Sequence, residues 1–236
     1  MSANVRARVF AIGTTVAVMA LVGCNGSSGS SGSSAEGSTA RAAVPRPLNV
    51  IEAAAEDVID QIPRGRWTRI EAGVAQLQAA WRRYQQDARA TDGRQAQRLD
   101  AALAVLSTQA ADEDGLGVEQ AANDVSAAAV ELLAHYALGH PVQIGRLDVI
   151  GRQIIIEVER ADLTAASAPA DRARREWQAV RRSVRRHHGS RVVARTEATL
   201  RRLDAGIRAG DGRAITNESR DLLELVDAME RLYRRL

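Results

Sequence analysis

Two stretches decide the fold: VEQAANDVSAAAVELLAHY, residues 118–136, and ITNESRDLLELVDAMERLY, residues 215–233. In the first, Val118, Ala122, Val125, Ala129, Leu132 and Tyr136 fall three or four residues apart. In the second, Ile215, Ser219, Leu222, Val226, Met229 and Tyr233 do the same. This is the period of a helix that buries one narrow stripe. Laid together 97 residues apart, 118 on 215, they put Val118 on Ile215, Leu132 on Met229 and Tyr136 on Tyr233.

Working outward, the same spacing recurs from Leu48 to the end. A first helix carries Leu48, Ile51, Ala55, Val58 and Ile62, and Pro63-Arg64-Gly65 stops it. A second carries Trp67, Ile70, Val74, Leu77, Trp81 and Tyr84, and a third Leu99, Leu103, Leu106 and Ala110. The stretch at 118–136 is the fourth, closed by Gly139-His140-Pro141. The pattern then restarts: Ile144, Leu147, Gly151, Ile154 and Val158 in a fifth, Ala170, Ala173, Trp177, Val180 and Val184 in a sixth. Val193, Thr196, Leu200, Leu203 and Ile207 form a seventh, and the stretch at 215–233 is the eighth. Ser167 reads as the N-cap of the sixth, with Pro169 in the first turn, where a missing N–H is tolerated.

Helices one and two match five and six 96 residues apart: Leu48 on Ile144, Ala55 on Gly151, Val58 on Ile154, Trp81 on Trp177. Small residues fall on small ones, and the breaks coincide, Gly93 on Gly189 and Gly115 on Gly212. Short connections favour antiparallel neighbours. The expected fold is all-α: eight helices as two tandem, duplicated four-helix up-down bundles, residues 48–139 and 140–236, with one elongated core or two. Aromatics make up only 3% of the chain, so Ala, Leu, Val and Ile must fill that core.

Upstream, Arg6 and Arg8 precede an uncharged apolar run from Val9 to Val22, then Leu21-Val22-Gly23-Cys24. Such a run is short for a bilayer span and right for a signal-peptide core. Residues 25–47 are mostly Gly, Ser and Ala, without apolar periodicity. This order resembles the signal peptide and lipobox of bacterial lipoproteins. The resemblance covers residues 1–24. It implies cleavage after residue 23, a diacylglyceryl group on Cys24, and residues 24–47 as lipidated Cys and flexible tether. It places the folded part outside the cytoplasm, anchored to a membrane by acyl chains. Asn25 resembles the residue that favours outer-membrane sorting, which in a diderm cell would face the domain to the periplasm.

The net charge is +3, so no whole-chain field recruits polyanions, and every basic residue is Arg, as a GC-rich coding sequence would give. One Cys excludes an intramolecular disulfide framework. The sharpest local feature is basic: Arg174, Arg175, Arg181, Arg182, Arg185 and Arg186 crowd the sixth helix. Guanidinium forks suit phosphate and carboxylate. The expected partners are an anionic envelope surface or an acidic protein. Nucleic acid is not expected, since no stacking aromatics accompany the charges. A solvated helix face is the plainer reading.

His135, His140, His187 and His188 are the weak metal candidates; none forms the i, i+4 pair of helical ligands. Glu52 and Glu56 share a face of the first helix and read as solvent-facing, because no Glu-x-x-His accompanies them. The duplicated plan is loosely similar to periplasmic imelysin-type proteins, whose His-x-x-Glu motif is absent here. No catalytic or cofactor motif appears, so neither enzyme activity nor a cofactor is expected. The expected role is a binding or scaffolding module of the envelope; the alternative is a metal- or haem-carrying bundle.

Overall fold

A computed structural model describes residues 42–87 and 93–234. The signal-peptide run, Cys24 and most of the tether lie outside the described residues. Eight α-helices follow one another: α1 Arg46–Gln61, α2 Trp67–Asp87, α3 Gly93–Ala111, α4 Gly115–Leu133, α5 Val142–Glu159, α6 Ser167–Arg186, α7 Ser190–Ala209 and α8 Gly212–Tyr233. Among the described residues no strand forms; one isolated bridge joins Ala43 to Ala137. None of the described helices is long and apolar enough to cross a membrane.

Local chemistry sets the boundaries. Asp114 and Asp211 cap α4 and α8, each carboxylate accepting the N–H three residues on, at Gly117 and Ala214. Such caps satisfy donors that the first turn leaves free. Gly210 ends α7 in the left-handed conformation, φ +64, which a side chain would resist. The start of α6 differs from the sequence expectation. Ala166 holds the cap position and Ser167 is already helical, with no side-chain cap bond.

In the first set, α1 lies against α2 and α4, and α3 against α2 and α4. These four helices enclose one core, in which Leu48, Ile51, Ile70, Leu77, Leu99 and Leu106 are wholly buried. In the second set, α5 lies against α6 and α8, and α7 against α6 and α8. Their core includes Ile144, Leu147, Trp177, Leu203, Leu222 and Met229. Among the described residues the buried apolar side chains thus gather into two clusters.

The sets meet where α4 packs against α5. Pairs Gln120–Gln153 and Glu131–Arg146 run oppositely along the two helices, which makes them antiparallel. Gly145 permits the close approach, since a Cβ there would lie 3.2 Å from Val130 Cγ2. The α4–α5 connection folds back on the chain entering α1, where the Ala137 N–H donates to Ala42 O at 2.8 Å.

Candidate functional site

Two places gather chemistry: the outer face of α6 and the seam between the two sets of helices.

On α6, the buried stripe of Ala170, Ala173, Trp177, Val180 and Val184 fixes which side faces solvent. Arg175, Arg182, Arg185 and Arg186 are exposed, and among the described residues none of the four has an acidic partner. The other two candidates are engaged. Arg174 bridges Asp171 on its own helix and Asp204 on α7. Arg181 reaches Glu197 on α7 at 3.7 Å. The six arginines thus divide into a solvent-facing four and a tied two.

The seam overturns one sequence expectation. Glu52 and Glu56 are half-buried, and their charged neighbours lie on α5 and α8. Arg152 of α5 donates through Nη2 to Glu56 Oε1 at 2.8 Å and lies 2.6 Å from Asp148 Oδ2. Its side chain is 12% exposed, and Nη1 is buried without a hydrogen bond. Burial acts against its charge, but Asp148 and Glu56 outweigh that and the net direction is up. On α8, Glu230 Oε2 accepts from Arg234 at 2.9 Å. Burial, then the nearby Asp148, push Glu230 up to about 7. Glu52 is also pushed up to about 7, first by burial and then by Glu56, Glu230 and Asp148.

Further along the α4–α5 contact the polar groups are shared. The Gln120 and Gln153 amides bond reciprocally at 3.0 Å, and Asn123 also donates to Gln153 Oε1. Burial and a hydrogen bond to Glu159 push the Glu119 carboxyl up to about 8. Arg146 of α5 holds Glu131 of α4 with two bonds of 2.7 and 2.8 Å.

At the end of the seam lies a half-open cavity of about 210 Å³. Val44, Val130, Leu133, Leu138 and Val142 give it apolar walls, and Glu52, Asn49 and His140 are its polar lining. Burial lowers the His140 pKa, while its Nδ1 lies 3.2 Å from Pro141 O.

The histidines do not converge. His135 is exposed at the end of α4 and His188 is exposed after α6. His187 Nδ1 lies 2.9 Å from Ser183 O, and its ring sits 4.1 Å from that of Tyr233. Among the described residues no three His, Cys, Asp or Glu side chains are grouped to hold a metal ion.

The geometry defines an all-helical bundle with a basic face and an acidic, cavity-bearing seam. No protein-family model matches the chain, and neither a curated protein nor a solved structure does.

Proposed function

We propose that the chain is a lipid-tethered binding module of the bacterial cell envelope, built by duplication of a four-helix up-down unit. It docks an anionic partner through Arg175, Arg182, Arg185 and Arg186. The tether reading rests on the order of basic start, apolar run, Leu21-Val22-Gly23-Cys24 and Gly/Ser tract. Acyl chains on Cys24 would hold the domain at the membrane, where a modest basic face meets its partner at high effective concentration.

Burial supports the duplication. The buried positions of α1 are 48, 51, 54, 55 and 58. Those 96 residues on, 144, 147, 150, 151 and 154, are all buried in α5. In α4 the set 118, 122, 125, 129 and 132 returns 97 residues on as 215, 219, 222, 226 and 229 in α8. A heptad can be slid into phase with any other; buried positions on four helices agreeing at shifts that differ by a single residue cannot be arranged so freely. The capping aspartates, Asp114 and Asp211, follow the same shift.

The observation that carries the function is the contrast between α6 and its counterpart α2. Arg175 and Arg182 stand where α2 has Ala79 and Gln86; Ala90, 96 residues before Arg186, lies outside the described residues. Arg185 alone has an arginine counterpart, Arg89. In turn α2 has Arg82 and Arg83 where α6 has Gln178 and Ala179. α6 thus carries arginine at places where α2 does without, while Arg82 and Arg83 put charge elsewhere on the same face of α2. Four guanidinium groups without acidic partners are free to take up carboxylates or phosphates.

The test is crosslinking of the full chain in its own envelope, with captured partners read by mass spectrometry. Wild type should capture an acidic partner that the R175Q/R182Q/R185Q/R186Q variant loses. Equal capture by both would sink the α6 face. Cys24→Ser should release the protein from membranes; unchanged membrane association would sink the anchor.

A further inference from the structure

Beside the cavity, three of the four nearby carboxylates are paired with an arginine. Glu56 and Asp148 share Arg152, and Glu230 has Arg234. Glu52 is half-buried, and among the described residues no hydrogen bond reaches it. Its open side is the cavity it lines. The charged groups facing it come from every neighbouring element: Glu56 on α1, Asp148 and Arg152 on α5, Glu230 on α8. The α4 wall adds only Val130 and Leu133. His140 is the remaining titratable group at the cavity, and burial disfavours its charge. Four carboxylates face two guanidinium groups there, so the cluster is short of positive charge.

We propose that this cavity binds a small primary amine with an apolar body, its ammonium on Glu52 and its hydrocarbon between Val44, Leu133, Leu138 and Val142. A bare metal ion does not fit, because it needs several converging ligands and only one carboxylate lines the space. An amine needs one carboxylate and gains the rest from the walls. An engineered cavity of about 150 Å³ holds benzene. By proportion, 210 Å³ holds a ligand of about eight non-hydrogen atoms. The site is independent of the α6 face, so either reading can fail without the other.

Benzylamine is a probe of that size and charge. It should be titrated calorimetrically into the full chain at about pH 8, where Glu52 is ionised and the amine still protonated. Benzyl alcohol and benzoate serve as neutral and anionic isosteres. The expected result is saturable binding of benzylamine, at least about tenfold weaker binding by Glu52→Gln, and none of benzoate. Glu52→Gln removes a crowded carboxylate, so it should melt no lower than wild type, which separates lost binding from lost fold. Equal binding of benzyl alcohol, or of benzylamine to Glu52→Gln, would reduce the site to an apolar hole and overturn the proposal. Absence of binding by wild type would overturn it as well.

Discussion

Trp81 in α2 and Trp177 in α6 stand 96 residues apart, and both are buried. Among the described residues only the first has an acceptor for its indole N–H: Trp81 Nε1 donates to Asp100 Oδ1, whereas Trp177 Nε1 is buried without one. The neighbours explain the difference. In the first set Asp100 accepts from Trp81 and, at 3.5 Å, from Gln85. The residues at the matching places in the second set are Glu197 and Arg181. They pair with each other at 3.7 Å, and the carboxylate no longer serves the tryptophan. In the second set the carboxylate goes to an arginine of α6, and among the described residues the buried indole N–H has no acceptor.

The largest effect that bears on how the two sets join is expected at Arg152. Arg152→Met would leave Glu56 and Asp148 partly buried without their cation. Breaking such a pair by removing one partner costs about 3 kcal/mol or more. Chemical denaturation at neutral pH should show this loss, and it should shrink as the pH is lowered and the carboxylates protonate. A loss below about 1 kcal/mol at neutral pH would mean that water, not Arg152, satisfies the seam.

The tryptophan contrast comes next. Trp81→Phe removes a hydrogen bond to a charged group, worth about 2 kcal/mol. Trp177→Phe removes an N–H that already lacks a partner. Both lose similar volume, so Trp81→Phe should be the costlier by about that amount in paired denaturation curves. Equal costs would erase the contrast. A sharper version transplants the first arrangement into the second: Arg181→Gln with Glu197→Asp should return a carboxylate to Trp177 and raise stability by about 1 kcal/mol.

The seam also sets a pH dependence. Glu52 and Glu230 have folded pKa values of about 7, above an ordinary value of 4.5. Between those values the folded protein holds protons that the unfolded chain has released. Their contribution to stability is therefore full below about 4.5 and lost as the pH rises through about 7. The melting temperature should rise as the pH falls from about 8 toward 5. The double variant Glu52→Gln, Glu230→Gln should reduce that slope to the share that Glu119 contributes, and an unchanged slope would place its origin elsewhere.

The helices were legible because each buries one stripe, and a stripe leaves its period in the sequence. Leu48, Ile51, Ala55 and Val58 needed no knowledge of any neighbour to be recognised as an inward face. The seam was not legible, because it lies on a second face of α1, where Glu52 and Glu56 look like any exposed pair. Their partners, Asp148 and Arg152, are 96 residues away, and no local period connects them. One signal did exist. Ile154, Ile155 and Ile156 are consecutive and all buried, which no single stripe can accommodate. A helix apolar on two sides announces a second interface, and α5 is that helix.

The smallest expected effect separates structure from function most directly. If Arg175, Arg182, Arg185 and Arg186 merely solubilise α6, neutral residues should serve equally, as Ala79 and Gln86 do on α2. The variant R175Q/R182Q/R185Q/R186Q should therefore keep its unfolding free energy within about 0.5 kcal/mol of wild type. It should also do so at high and low salt alike, since no acidic partner is lost. A drop above about 1 kcal/mol would mean that the four arginines support the helix after all, and would remove the argument from α2. Unchanged stability would leave them with no role inside the fold. A side chain that the fold does not use, repeated along one exposed face, is then best explained by what approaches that face from outside.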